Sequence, residues 1–155
     1  MIYENPWLFN GEPFLDCKNY LGFVYEITDS YNNRKYIGKK FFWSHRKLPG
    51  KTRRTKIESN WRHYYSSSEI IKQLVKEFGK LRFKRKILSL HELIRDVNYM
   101  EVKLQYALGV LEKQDENGEF IYYNGNISGK HQSYLVKGIS LRTLYENSTE
   151  PQCFV

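Results

Sequence analysis

Apolar residues are grouped along the chain in short runs whose spacing changes from strand-like to helix-like and back. Gly22 to Thr28 and Arg34 to Gly38 are rich in β-branched and aromatic residues, and Asp29-Ser30-Tyr31-Asn32-Asn33 between them supplies turn chemistry. Together they predict a β-hairpin. Ile70, Ile71, Leu74, Val75 and Phe78 recur at helical spacing. Ser66-Ser67-Ser68-Glu69 ahead of them reads as a capping box, and Gly79 behind them as a left-handed stop, so a helix over about 67–78 follows. Leu81 to Leu90 alternates as a third strand with Arg82, Lys84 and Lys86 on one side. A helical stretch then runs from about His91 to Leu111, interrupted at Asp96-Val97-Asn98.

The remaining segments are less periodic. Residues 1–19 carry Trp7, Phe9 and Phe14 without helix or strand spacing and predict an irregular arm that packs its aromatic rings onto the domain. Glu112 to Glu119 is an acidic loop, Phe120 to Asn124 returns to apolar character, and from about Gly129 no period is firm. This divides the chain into an arm (1–19), one domain (20–128) and a C-terminal extension (129–155), of mixed α+β class.

Charge changes the picture more than length does. The chain has 155 residues, enough for one domain with a proper core. Lys and Arg number 25 against 17 Asp and Glu, a formal charge of +8 that suits a polyanionic partner. Eight of those cations fall between Lys39 and Lys56 with no acidic residue among them, which predicts an exposed loop or flap. Cys17 and Cys153 fit no metal spacing or disulfide framework, and no apolar run approaches the roughly 20 residues of a spanning helix. A soluble, cytoplasmic protein with no membrane partner is expected.

The chemistry is carried by two tyrosine triplets on the hairpin, Phe23-Val24-Tyr25 and Tyr36-Ile37-Gly38, the second running into Lys39-Lys40. Ser59-Asn60-Trp61-Arg62-His63-Tyr64-Tyr65-Ser66-Ser67, Met100-Glu101-Val102-Lys103-Leu104-Gln105 and Tyr122-Tyr123-Asn124 follow in order. This succession resembles the GIY-YIG nuclease family. Two departures stand out: the first triplet keeps its tyrosine but has Phe23 for the family's glycine, and Ser66 replaces a glycine found in similar phage-encoded members. The resemblance implies a central three-stranded antiparallel sheet flanked by helices, and a metal-dependent DNA endonuclease of small phage or mobile-element type.

It also implies roles. Tyr25 would take or relay the proton of an attacking water, against an ordinary pKa of about 10. Lys39 or Lys40 would favour the phenolate, or else Tyr25 and Tyr36 are cross-strand partners stabilising the hairpin. Glu101 would hold a magnesium ion, with manganese as the alternative, since magnesium takes few protein ligands and keeps much of its water. Glu101 equally suits the third position of an N-cap box that begins at Asn98. Arg46 or Arg62 would hold the scissile phosphate with a planar fork, His63 would assist proton transfer or be structural, and Asn124, or else Asn126, would organise the site. Lys39, Lys40, Lys51, Arg53, Arg54, Trp61 and Lys84 would contact the DNA, expected to be double-stranded, and a homodimer stays open. Two competing readings are a DNA-binding module without the chemistry and an RNA-binding basic protein, which leaves the tyrosine pair unexplained.

Overall fold

The computed structural model describes residues 3–132; Cys153 and most of the C-terminal extension lie outside them. Two short strands, β1 (Leu8–Phe9) and β2 (Glu12–Pro13), precede the hairpin of β3 (Gly22–Asp29) and β4 (Lys35–Phe41). A second hairpin follows at once, β5 (Trp43–Lys47) and β6 (Arg54–Glu58). After these come α1 (Glu69–Phe78), β7 (Phe83–His91), α2 (Ile94–Ala107) and the small pair β8 (Asn126–Ile127) and β9 (His131–Gln132).

The main sheet has the order β2-β1-β7-β3-β4, with the hairpin strands and β7 forming the expected antiparallel three. The arm adds two strands to it. Leu8 and Phe9 pair in parallel with Lys86 and Ile87, so the arm is less irregular than its aromatic spacing suggested. Two residues are too short a run for period-two alternation to register.

β3 lies between β7 and β4, and its alternation feeds two cores. Phe23, Tyr25 and Ile27 join Trp7, Phe42, Trp61, Ile71 and Phe83 on one face. Val24 joins Ile37, Val97, Val110 and Leu111 on the other, under α2. Burial on both faces explains why the strand reads as a continuous apolar run. The pairing with β7 shifts between Val24 and Tyr25, so Ser89 and Ile87 face them and Leu88 is skipped, a β-bulge beside Tyr25.

Four local expectations are corrected. The basic run from Lys39 to Lys56 is largely strand: Trp43 to Lys47 pairs in register with Arg54 to Glu58, because its alternate residues Ser44, Thr55 and Ile57 are half-buried. The cap of α1 is Ser68, whose Oγ accepts from the Ile71 N–H, while Ser66 Oγ accepts from the Ser68 N–H just before the helix. The third strand begins at Phe83, and Arg82 ends a short 3-10 turn that turns it toward Asp29. Finally α2 is unbroken from Ile94 to Ala107, so Asn98 is an interior residue and Glu101 is no cap. Val97, fully buried against the sheet, holds the helix through the polar stretch.

Asp29 closes the first hairpin and anchors a buried network. Its carboxylate is wholly buried, receives two 2.7 Å bonds from Arg82 and accepts a 2.8 Å bond from the Tyr123 hydroxyl. Burial alone would raise its pKa; the bonds from Arg82, the Tyr31 N–H and Tyr123 outweigh that and leave it below the ordinary carboxylate value. The same network fixes the Tyr122-Tyr123-Asn124 segment against the sheet.

Candidate active site

β4 is an edge strand; its outer edge is bridged at Lys35 to Tyr122, and the site forms just beyond that bridge. Ile37 has no neighbouring strand there. Asn124 takes that place: its Oδ1 accepts from the Ile37 N–H at 3.0 Å and its Nδ2 donates to the Ile37 carbonyl at 2.8 Å. Gln105 Nε2 adds a third bond to the same carbonyl at 3.1 Å. Because the Ile37 carbonyl can only accept, the orientation of the Gln105 amide is fixed, and its buried Oε1 is left without a partner.

A cleft of about 560 Å³ opens along this edge, lined by Tyr25, Tyr36, Lys39, Ser67, Glu101 and Gln105 among others. The tyrosine rings stack with centroids 6.2 Å apart. They are diagonal rather than directly paired, since Tyr25 lies opposite Gly38 and Tyr36 opposite Ile27. Tyr36 Oη is 3.2 Å from Ser67 Oγ at the start of α1. Tyr64 meets the Tyr25 ring edge-on at 6.1 Å, and Lys40 Nζ lies 4.1 Å from the Tyr64 ring centre while donating to Asn60. From the α2 side, Glu101 Oε2 accepts from Lys39 Nζ at 2.6 Å.

The electrostatics correct the expected phenolate. Tyr25 is buried, and burial, followed by Tyr64, Tyr36 and Glu101, pushes its pKa well above the ordinary value. Tyr36 is raised too, by burial first, although the Ser67 hydroxyl works the other way. Lys39 is engaged with Glu101 and Lys40 with Tyr64, so Tyr25 rests as a neutral phenol. Lys40 itself is lowered by burial and by the charge of Arg46.

The other expected residues are placed as follows. Arg46 is exposed on β5, near enough for its charge to act on Lys40. Arg62 is engaged elsewhere: it pairs with Glu58, lies over Trp61 and donates to the Leu15 carbonyl. His63 is exposed beside Tyr3, away from the residues lining the cleft. Trp61 is corrected from a DNA contact to a core residue, being fully buried with its indole N–H on Glu58. Lys84 is exposed opposite Thr28 on β3, whereas the cleft lies at the β4 edge. Lys51, Arg53 and Arg54 are exposed around the turn and second strand of the β5–β6 hairpin. Of the two asparagines, Asn124 holds Ile37, while Asn126 is exposed, lines the cleft and accepts from the Gly129 N–H.

The donor set suits a hard cation. Among the described residues no group of three or more His, Cys, Asp or Glu comes together. The cleft offers two carboxylates, Glu101 facing the Lys39 ammonium and Glu69 facing that of Lys72, and one turn beyond Glu101 on α2 the unpartnered amide oxygen of Gln105. Few protein oxygens and room for water are what magnesium accepts. Sequence reasoning missed Gln105; its signal was the four-residue spacing from Glu101, which places both on one helix face. It also missed Arg85, a buried guanidinium that holds the Arg62 and Tyr64 carbonyls at 2.9 Å and so fixes the segment that positions Tyr64.

Residues 7–127 match the family model described as "Putative endonuclease segE, GIY-YIG domain". The mixed sheet flanked by two helices agrees with that fold. The chain belongs to the GIY-YIG family, and it is an endonuclease, a phosphodiester hydrolase whose domain implies DNA as substrate. Members of this family are generally dependent on a divalent metal. No curated protein and no solved structure matches the chain at a significant level. Among the described residues no helix is long and apolar enough to cross a membrane.

Proposed function

We propose that this endonuclease hydrolyses the backbone of double-stranded DNA at the Tyr25–Glu101 cleft, with one magnesium ion, or manganese in its place, held at Glu101. The observation that carries this reading is the convergence of Tyr25, Tyr36 and the Glu101 carboxylate on one cleft. The Glu101 and Gln105 oxygens would hold the ion. When bound, it would offset charge at the reacting phosphate and lower the cost of a phenolate nearby.

Tyr25 starts as a neutral phenol: its Oη would give up its own proton to solvent as that cost falls, and the phenolate would then take the proton of the attacking water. Tyr36, with its hydroxyl steadied by Ser67, positions the water or a phosphate oxygen. Arg46 is the phosphate arginine in this reading, because Arg62 is already paired with Glu58. Lys39, displaced from Glu101, would turn to a phosphate oxygen; Lys40, Lys51 and Arg53 would follow the backbone, and Arg54 would contact the DNA beside them. One chain supplies every group needed to cut one strand, so a homodimer would serve only to cut both.

Supercoiled plasmid tests the reading. Wild-type protein should nick or linearise it with magnesium and stop when a chelator is added. Glu101→Gln should bind DNA but leave the plasmid closed. Cleavage by that variant at the wild-type rate would remove Glu101 from the mechanism.

A further inference from the structure

The β5–β6 hairpin shares no strand with the main sheet. Its register sets His45 opposite Lys56 and Lys47 opposite Arg54. Opposed residues of an antiparallel pair share a face, so these four side chains stand together, and all four are exposed. Trp43, at the body end of that face, packs against the core, while on the other face Ser44, Thr55 and Ile57 are half-buried. Like charges directly opposed weaken a hairpin. A cationic face kept at that cost calls for an anion laid along it.

The dimensions narrow the anion. Five paired residues at about 3.4 Å each give a ribbon of about 17 Å, which corresponds to about five base-pair steps of duplex. The DNA major groove, about 12 Å wide, admits a two-stranded ribbon, and the Arg fork or the Lys ammonium can donate to the two acceptors of guanine there. Cations that only follow phosphates belong on the rim of such a ribbon, where Lys51 and Arg53 stand at the turn. Lys47 and Arg54 lie instead across its face.

We infer that the β5–β6 ribbon enters the major groove of duplex DNA and reads base edges with Lys47 and Arg54, giving the nuclease a preference for a short sequence of about three to five base pairs. This rests on the reading of DNA as its substrate. The preference belongs to the ribbon and not to the cleft.

The test is binding selection from a pool of duplexes with a randomised centre, with magnesium omitted so that nothing is cut. Wild-type protein should enrich a short guanine-containing motif. Lys47→Ala/Arg54→Ala should lose that enrichment roughly tenfold or more at the positions read, with an unchanged circular dichroism spectrum. Lys51→Ala/Arg53→Ala should weaken binding on all sequences and keep the motif. Wild-type protein that retains no duplex or enriches nothing, or a Lys47/Arg54 variant that enriches the same motif, would overturn the inference. Enrichment by a wild-type protein that leaves plasmid uncut with magnesium would sink the proposed mechanism alone, and cutting without enrichment would sink the ribbon alone.

Discussion

A methyl group on Gly38 would sit 2.6 Å from the Tyr25 hydroxyl oxygen, and 2.8 Å from the Tyr36 ring. The glycine of one triplet therefore makes the space that both tyrosines occupy. Neither triplet works as a separate motif: β4 must present a bare backbone at the position where β3 delivers its phenol.

Gly38→Ala tests that dependence. Overpacking of this kind costs typically about 1–3 kcal/mol, and here it would push Tyr25 off the cleft as well. Urea denaturation should show the loss of stability, and cleavage should fall further than stability explains. A variant that melts and cuts like wild type would mean that the rings shift freely.

Tyr25→Phe should separate folding from chemistry. The ring keeps its contacts with Trp7, Phe23 and Tyr36, so thermal melting should hardly change. Single-turnover cleavage should fall roughly a hundredfold or more, as for loss of a general base. Tyr36→Phe should lose less, because its hydroxyl positions rather than transfers. Full rates from both variants would reduce the pair to packing.

Ser66 stands where a glycine would fit without strain. Its φ is +123°, where an L side chain is strained, and such residues cost about 1–3 kcal/mol. Ser66→Gly relieves that strain but loses one hydrogen bond of about 1 kcal/mol to the Ser68 N–H. A net gain of about 1 kcal/mol is expected by chemical denaturation. Ser66→Ala keeps the strain and loses the bond, so it should be destabilised by about the same amount. The reverse order of the two variants would show that the conformation is not strained.

Stability should fall at both ends of the pH scale for separate reasons. Asp29 has a lowered folded pKa, so protons bind the unfolded chain first and its contribution, complete above the ordinary carboxylate value near 4, is lost as pH falls through the folded value. Tyr25 and Tyr36 have raised folded values, so their contribution is complete below about pH 10 and is lost as pH rises beyond it. Denaturation midpoints measured across pH should show both limbs. Asp29→Asn should flatten the acid limb and lower stability near neutrality, since it removes the carboxylate that holds Arg82.

The β3–β4 hairpin, β7 and the first helix were legible because their apolar residues keep a period. The Ile70 to Phe78 spacing found α1, and the two triplets found the hairpin. Where polar residues are placed by tertiary contacts, the sequence misled. Asn98 looks like a helix start, yet Val97 beneath it is buried and the helix continues. The run from Lys39 to Lys56 looks like solvated loop because cations dominate it, and only its half-buried partners Ser44, Thr55 and Ile57 reveal two strands. Tyr25 and Glu101 could be named in advance, but not the salt bridge to Lys39 or the bonds of Gln105 to Ile37. Those depend on which residues the fold brings face to face across more than sixty positions.

The carboxamide of Asn124 on Ile37 has a further consequence. An edge strand with open N–H and C=O groups is a template for another chain, and proteins that leave one exposed risk self-association. At the middle of β4 that template is already occupied, by a side chain in place of a strand. Two copies cannot zip together along this edge at Ile37, and a neighbour's strand cannot grow across the cleft mouth. The residue that steadies β4 beside the cleft thus also fills the backbone groups at which a second strand would begin to pair.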